Sequence, residues 1–321
     1  MKSASPGLPA GFRDLLHEEV KTRRAIETRM AEIFSDQGYR ELSPPMVELL
    51  EVYARGNQHL HQEAIKFLDR HDQLVALRAD FTPAVARIVA SRFSGLPGPF
   101  RIWYSGDVFR KVDRHHTRFC EFGQVGAELI GLPGPDGDRE ILSLAIGLLD
   151  ALGLAEVQVH LNHAGIFGGL IRELALDRRG ASEVRSEIDR KDTRGLARRL
   201  EELGVEEEIR RQVQALTMCI GGPEVLQEAR TLLRNAESAS ALDDLARLSD
   251  SISGWSDRIV YDLTEVDEME YYTGIMLTFF APQLRGELGK GGRYDALLGA
   301  FGLEAPAVGF SFSMDHLVEL Q

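Results

Sequence analysis

The stretch from Arg101 to Gly131 constrains the fold of this chain most strongly, and it reads RIWYSGDVFRKVDRHHTRFCEFGQVGAELIG. Apolar, β-prone residues fill 102–109 and 119–130, and mostly charged residues separate them. This pattern predicts two antiparallel strands joined by a long basic loop. The first strand ends near Arg110, and the even spacing of Gln124 and Glu128 puts both on one face of the second.

Polar side chains in such a strand need partners, because a buried polar group without a hydrogen bond costs stability. Arg110, Gln124 and Glu128 facing a common floor therefore suggest a site for a small polar ligand. A solvated sheet face beside a basic turn is the alternative interpretation of the same residues.

Composition narrows the class of protein. With 321 residues, 44% of them apolar and 27% charged, the chain can bury a large globular core. Its 37 basic and 50 acidic residues give a net charge of −13, which counts against a protein that mainly grips nucleic acid. Two cysteines are too few for a disulfide framework. Without a long apolar run or a signal-peptide core, we expect a cytoplasmic protein with no membrane segment.

Two further segments have clear local signatures. A helical stripe predicts a helix from about Glu18 to Gln37, which Gly38 ends. The adjacent Pro44 and Pro45 exclude a helix and favour an extended edge segment or a contact between chains.

The composition changes between residues 164 and 253, which are rich in Leu, Ala, Arg and Glu. We expect four or five helices there, broken near Gly180, Gly204 and the pair at 221–222. Strand-forming residues return afterwards. The prediction is an α+β protein: a core of residues 1–163 and 254–321 with an antiparallel sheet, and an inserted helical subdomain at 164–253.

Motifs for metals and cofactors are missing from the sequence. Zinc needs several converging ligands, and His160 and His163 are three residues apart, so a strand would turn them to opposite faces. The glycine-rich segment at 289–299 is no phosphate-binding loop, because Lys290 is followed by Gly rather than Ser or Thr. We therefore predict no metal, no cofactor and no catalytic residue.

Seven blocks can now be taken together: PPMVE, LRADFTPAVAR, WYSGDVFR, EFGQVGAELIG, EYYTG, GGRYDALL and AVGFSF. Their order resembles the catalytic core of histidyl-tRNA synthetases, which are class II aminoacyl-tRNA synthetases. The resemblance implies an antiparallel sheet of six to seven strands flanked by helices, and a homodimer contact built around Pro45.

The resemblance also implies a histidine pocket, made of Asp80, Thr82, Arg110, Gln124, Glu128, Tyr271 and Tyr272. In it, Gln124 and Thr82 would serve the ammonium and carboxylate groups of the amino acid. Glu128 and a tyrosine hydroxyl would bind the imidazole N–H.

Three departures from the synthetase pattern fall on the nucleotide side. Val112 stands where the FRxE element has its glutamate, Asp267 replaces a catalytic arginine, and His316 replaces the arginine that grips the γ-phosphate. Each arginine–phosphate pair is worth about 4 kcal/mol at ~4 Å and an effective dielectric of ~20. Adenylation by this chain is therefore not expected.

The chain ends soon after AVGFSF, whereas synthetases of this type continue into an anticodon-binding domain; we therefore expect no tRNA partner. In these respects the chain is similar to the regulatory subunits of ATP phosphoribosyltransferase. That resemblance implies a non-catalytic role in the first step of histidine biosynthesis, with L-histidine as feedback effector. The implied partner is the short catalytic subunit, in a hetero-octamer. A histidyl-tRNA synthetase-like ligase and a free-standing histidine-binding scaffold are the alternatives.

Overall fold

The computed structural model describes residues 7–111, 119–265 and 272–321. Its helices are α1 (His17–Asp36), α2 (Leu50–Gly56), α3 (Gln58–Glu63), α4 (Thr82–Ile88), α5 (Asp136–Ala151), α6 (Ala164–Glu173), α7 (Arg178–Asp189), α8 (Thr193–Glu202), α9 (Glu207–Leu216), α10 (Glu224–Leu232), α11 (Ala236–Ser251) and α12 (Met314–Glu319). Its strands are β1 (Arg40–Glu41), β2 (Val47–Leu49), β3 (Lys66–Leu68), β4 (Leu74–Leu77), β5 (Phe100–Phe109), β6 (Glu121–Ile130), β7 (Gln158–His163), β8 (Ile220–Gly221), β9 (Ile259–Asp262), β10 (Ile275–Phe280), β11 (Glu287–Arg293) and β12 (Ala307–Ser313). No helix in these ranges is both long and apolar enough to cross a membrane.

The main sheet contains nine strands within the described ranges, in the order β1-β5-β6-β12-β11-β10-β7-β9-β8. The central pairs from β5 to β7 are antiparallel, as predicted, whereas β1–β5 and β7–β9 are parallel. The predicted count of six to seven strands was too low. The edge strands β1 and β8 have two residues each, so they carry no alternation that a sequence pattern can reveal.

The hairpin predicted within residues 101–131 forms. Strands β5 and β6 pair along ten residues each, from Phe100 opposite Ile130 to Phe109 opposite Glu121. Val125, Ala127 and Leu129 of β6 point to the large apolar core, because alternate residues of a strand face opposite sides. Of the predicted basic loop, residues 112–118 lie outside the described part of the chain.

Helices α1 and α5 cover that apolar face. The predicted first helix is confirmed to within one residue at each end, and Gly38 follows it with a φ of 79°. Its buried stripe includes Phe34, whose ring stacks on Trp103 of β5 with 5.1 Å between centroids. The stripe anchors α1 to the sheet, because aromatic pairs at this distance add to the free energy of burial.

The Pro44–Pro45 segment lies outside every helix and strand of the described chain, which agrees with the predicted exclusion of a helix. Arg78 holds it in place: Nη1 donates to the Pro44 carbonyl at 2.9 Å, and Nε donates to the Asp107 carbonyl of β5 at 3.1 Å. Next to this segment, β2, β4 and β3 form a small antiparallel sheet. Large apolar side chains are exposed along it, namely Met46, Val47, Leu49, Phe67, Leu68 and Leu74.

Six helices, α6 to α11, lie between β7 and β9, where four or five were expected. The short strand β8 separates α9 from α10. The break predicted near Gly180 falls at residues 174–177, between α6 and α7. Gly180 itself lies in the first turn of α7, where its N–H donates to the N-cap carboxylate of Asp177 at 2.7 Å. The buried side chains of these helices, such as Leu200 and Leu216, are continuous with the core beneath the sheet. The proposed boundaries at 164 and 253 therefore stay a prediction.

Candidate functional site

A cluster of polar side chains lies on the sheet face opposite α1 and α5. Cross-strand partners share a face, and the register puts Glu128 opposite Gly309, and Gly309 opposite Gly292. The N-terminus of α4 packs over this part of the face. We call the polar cluster the set that hydrogen bonds connect here: Asp80, Thr82, Arg110, Gln124 and Glu128.

Glu128 is the most deeply buried member, with 1% of its surface exposed. Its Oε1 accepts hydrogen bonds from Thr82 Oγ1 at 2.7 Å and from the Tyr104 hydroxyl at 3.1 Å, and its Oε2 accepts one from the Tyr294 hydroxyl. Burial raises the pKa of Glu128 to about 7, although the Tyr294 and Thr82 hydroxyls act in the opposite direction. The carboxyl group therefore sits near the point where it can gain or lose a proton at neutral pH.

Asp80 connects the loop before α4 to the end of β5. Its Oδ2 accepts from Arg110 Nη2 at 2.7 Å, and its Oδ1 accepts from the backbone N–H of Thr82 at 2.9 Å. Arg110 Nε also donates to the Ala79 carbonyl at 2.8 Å. The guanidinium is thus tied to the 79–80 segment, and the pair puts one positive and one negative group at the edge of the cluster.

Gln124 contributes an unpaired acceptor. Its side-chain Nε2 donates to Ser311 Oγ at 2.8 Å and lies 3.4 Å from Asp80 Oδ2, so the amide nitrogen must face the carboxylate. Its Oε1 is buried and has no hydrogen-bond partner among the described residues, with only 6% of Gln124 exposed. A buried acceptor of this kind costs free energy until a donor reaches it.

Glycines keep the floor beside Glu128 open. A Cβ on Gly309 would collide with Glu128 Oε2, and a Cβ on Gly292 would lie 2.7 Å from the Tyr272 ring. Tyr272 packs against the apolar cluster that contains Tyr104 and Tyr294. The aromatic side chains therefore border the polar cluster, and backbone alone forms part of its floor.

The structure brings together five of the seven side chains predicted for the site and packs Tyr272 alongside them. Tyr271 lies outside the described residues. The sequence interpretation missed three contributors, Tyr104, Tyr294 and Ser311. Tyr294 and Ser311 lie in or beside the GGRYDALL and AVGFSF blocks, and Tyr104 lies in WYSGDVFR, so the blocks contained the signal although no role was assigned. That these residues bind histidine remains a prediction.

The nucleotide side is described only in part. Val112 and Asp267 lie outside the described residues. His316, which stands where the synthetases have an arginine, is the third residue of α12, and its Nδ1 is 3.0 Å from the Glu287 carbonyl. This imidazole is therefore engaged with the backbone of β11.

Comparison with known proteins identifies the class of protein to which this fold belongs. The family model described as histidyl-tRNA synthetase matches residues 11–317. A crystal structure from Alicyclobacillus acidocaldarius, described as a histidine–tRNA ligase subunit, superimposes with a TM-score of 0.85 at 26% identity, covering 99% of this chain and 98% of that one. The fold is that of the class II synthetase core, as the resemblance implied.

Two relatives within this class identify the family of this chain. The ATP phosphoribosyltransferase regulatory subunit of Syntrophotalea carbinolica is 35% identical over 97% of this chain and 74% of its own length. A Bacillus halodurans structure, described as an ATP phosphoribosyltransferase regulatory subunit/histidyl-tRNA synthetase, has a TM-score of 0.91 at 31% identity and covers 99% of this chain and 84% of that one. The chain belongs to the family of ATP phosphoribosyltransferase regulatory subunits.

The glycine opposite Glu128 yields a stability prediction. Gly309→Ala places a methyl group against a carboxylate that three hydroxyls hold, and only 2.7 Å from the Ala127 carbonyl oxygen. We expect a loss of about 2–3 kcal/mol in the free energy of unfolding, measured by urea denaturation. Gly147→Ala in α5 is the control, because its Cβ meets open space and the change should stabilise by about 0.5–1 kcal/mol. Equal stabilities for the two variants would contradict this steric account.

The raised pKa of Glu128 yields a pH prediction. Its folded pKa of about 7 lies above the ordinary value of 4.5, so the folded state binds the proton more tightly and loses stability as pH rises between these values. At ~1.4 kcal/mol per pKa unit, the loss is about 3 kcal/mol. Glu128→Gln cannot ionise, so its stability relative to the wild type should increase by that amount from about pH 4.5 to about pH 8. Parallel stability–pH curves for the two proteins would refute the assignment.

Proposed function

We propose that this chain is a non-catalytic, histidine-responsive regulatory subunit that acts with the short catalytic subunit of ATP phosphoribosyltransferase. The complex would carry out the first step of histidine biosynthesis in the cytoplasm. Family membership supports the partnership. The observation that carries the histidine response is the buried, unpaired Oε1 of Gln124, a residue whose amide nitrogen lies 3.4 Å from Asp80 Oδ2.

The polar cluster offers complementary groups for each part of histidine. The ammonium group can donate to Gln124 Oε1 and interact with the Asp80 carboxylate, which satisfies the unpaired acceptor. The guanidinium of Arg110 uses Nε and Nη2 within the protein and keeps further N–H donors for the carboxylate group. Thr82 lies beside this position, and its hydroxyl proton is donated to Glu128. Glu128 already accepts three hydrogen bonds, and a carboxylate has about four acceptor sites, so one remains for an imidazole N–H.

The nucleotide side supports a non-catalytic role. Arg110, the one retained phosphate-gripping arginine, is held by Asp80 and Ala79. At the second arginine position, His316 carries a shorter and weaker base, while the sequence has Val112 and Asp267 at two further positions. Losing two arginine–phosphate interactions of about 4 kcal/mol each removes several powers of ten from transition-state stabilisation.

Feedback inhibition requires that histidine bind one state of the complex more tightly than another. In this proposal the polar cluster is the effector site, and the catalytic subunit carries the responding site in a hetero-octamer. A tRNA partner does not fit the proposal, because the net charge of −13 opposes binding to a polyanion.

A homodimer through the Pro45 region is part of the same proposal. The small sheet β2-β4-β3 adjoins this segment and exposes six large apolar side chains, including Phe67 and Leu68. Contiguous exposed apolar surface of this kind is typical of protein interfaces. Arg78 fixes the Pro44 backbone against β5, which gives the contact a rigid base.

A ligase of the histidyl-tRNA synthetase type is the second candidate, and Arg110 and the GGRYD block favour it. The Bacillus halodurans structure is also described as both a regulatory subunit and a histidyl-tRNA synthetase. A free-standing histidine-binding scaffold is the third. The three differ in what accompanies histidine binding: a phosphoribosyltransferase partner, adenylation, or neither.

Reconstitution separates these functions. The purified chain is mixed with a short catalytic subunit, and formation of phosphoribosyl-ATP is measured with and without L-histidine. We expect activity only in the mixture, and inhibition by histidine. Histidine-dependent ATP–pyrophosphate exchange by this chain alone would instead establish the ligase. Histidine binding without activation of the catalytic subunit would establish the scaffold.

The unpaired acceptor predicts a loss of histidine affinity in Gln124→Met, which keeps the length of the side chain and removes the amide. A hydrogen bond to a charged donor is worth about 1.5–3 kcal/mol, so calorimetry should give a dissociation constant about 10- to 150-fold higher. Gln37→Met, at the exposed end of α1 on the other side of the sheet, is the matched control. Unchanged affinity in Gln124→Met would exclude Gln124 from the histidine site.

If the small sheet β2-β4-β3 forms the dimer contact, a charged residue placed on it should weaken the dimer. Leu68 is 62% exposed on the edge strand β3, and Leu68→Glu should shift the dimer towards monomer by at least about tenfold in sedimentation equilibrium. Met218→Glu is the control, since Met218 is 73% exposed in the helical segment. A dimer that survives Leu68→Glu unchanged would place the contact elsewhere.

A further inference from the structure

A second group of polar side chains lies on the same sheet face, several strands away from the polar cluster. His160 of β7, Asp262 at the end of β9 and Glu265 just after it place one possible ligand atom each within 4.8 Å of one another. The strand register brings His160 close to the two carboxylates, because the parallel strands β7 and β9 pair His160 with Val260, two residues before Asp262. We call these three residues the His160 group.

We propose that the His160 group is a binding site for a divalent transition-metal ion, with Zn²⁺ as the ion that best fits the donors. One imidazole nitrogen and two carboxylates form a three-ligand zinc set, in which water occupies the fourth position. The sequence predicted no metal because His160 and His163 face opposite sides of β7. That reasoning paired the two histidines, whereas folding pairs His160 with carboxylates about a hundred residues away.

Distances within the group support coordination better than hydrogen bonding. The buried Nδ1 of His160 has no hydrogen-bond partner among the described residues, and it lies 3.6 Å from Asp262 Oδ2. This separation is long for a hydrogen bond. Two ligands at about 2.0–2.1 Å from a tetrahedral zinc ion are about 3.4 Å apart, so the observed separation is close to that of two ligands sharing one ion.

Neighbouring groups hold both carboxylates in position. The backbone N–H of Thr264 donates to Asp262 Oδ1 at 3.0 Å, and the Thr264 hydroxyl contacts the same oxygen. Thr278 Oγ1 lies 3.4 Å from Glu265 Oε2, and Asn162 Nδ2 donates to the Glu265 carbonyl at 2.6 Å. Such outer hydrogen bonds orient ligands before the metal arrives.

The charge of the group also favours a divalent ion. Lys191, just after α7, has its Nζ 3.2 Å from Asp262 Oδ2, so its ammonium pairs with one of the two carboxylates. Lys290 pairs with Glu287 at 2.8 Å on the neighbouring strand. A divalent cation would neutralise both carboxylates.

In this proposal, Lys191 competes with the metal ion for the Asp262 carboxylate. Its side chain is 48% exposed, so the ammonium can move into solvent when an ion binds. Its backbone has a φ of 54°, a conformation that is unfavourable for a residue with a side chain and that places the ammonium over Asp262. Removing this ammonium should therefore tighten metal binding.

The test uses the full chain without a histidine tag, stripped of metal by a chelator, with Co²⁺ as the spectroscopic probe and Zn²⁺ as the competitor in calorimetry. We expect one Co²⁺ per chain with the visible absorption of a tetrahedral site, displaced by one equivalent of Zn²⁺. His160→Ala should weaken this binding at least about tenfold, and Lys191→Met should tighten it about tenfold. His71→Ala, a change at an exposed histidine, should leave it unchanged.

Two results would overturn the proposal: no saturable Co²⁺ or Zn²⁺ binding by the wild type, or equal binding by wild type and His160→Ala. Glu265→Gln is the second variant, in case His160→Ala fails to fold, and circular dichroism checks both. The measurement needs neither histidine nor the catalytic subunit, so its outcome is independent of the proposed regulatory function.

Discussion

The buried carboxyl group of Glu128 connects the parts of this molecule that lie far apart in the sequence. Its three hydroxyl partners come from the start of α4, from β5 and from the residue after β11. Removing a carboxyl group from water is costly unless hydrogen bonds replace the lost hydration. The sheet, the packing of α4 and the path of the chain after β11 must therefore be correct together before Glu128 is satisfied. Stacking of Phe81 on Tyr104, with 4.3 Å between ring centroids, holds one of these donors in place.

The same constraint explains why the polar cluster is well defined although it lies at the meeting point of several loops. Asp80, Thr82 and Arg110 are bonded to one another and to the backbone, so few of their rotamers remain accessible. A preorganised site loses less conformational entropy when it binds a ligand. The unpaired Oε1 of Gln124 is the exception within an otherwise satisfied network. Most buried polar groups in proteins have a hydrogen-bond partner, so an unsatisfied one stands out within the network.

Local patterns predicted the local structure well. The strands around Gln124 and Glu128, the first helix and the absence of a helix at Pro44–Pro45 follow from alternation, helical periodicity and the chemistry of proline. The two-residue strands at the sheet edges carry no such pattern, and their pairing is a consequence of tertiary packing. The break expected near Gly180 lies at residues 174–177, because the N-cap at Asp177 starts a new helix just before the glycine. For the site, resemblance named the residues on β6 and α4. Tyr294, Tyr104 and the His160 group depend on which strands become neighbours, which no single stretch of sequence records.

The segment Arg78–Ala79–Asp80 has three consecutive residues with three different attachments. Arg78 binds the Pro44 carbonyl, the Ala79 carbonyl receives Arg110, and Asp80 belongs to the polar cluster. The hydroxyl of Tyr53 in α2 also accepts the Ala79 N–H at 3.1 Å. Two peptide planes thus separate the backbone of the Asp80 carboxylate from the arginine that positions the outer proline segment. This short stretch of backbone is therefore fixed on both sides, by the polar cluster at Asp80 and by the Pro44 carbonyl at Arg78.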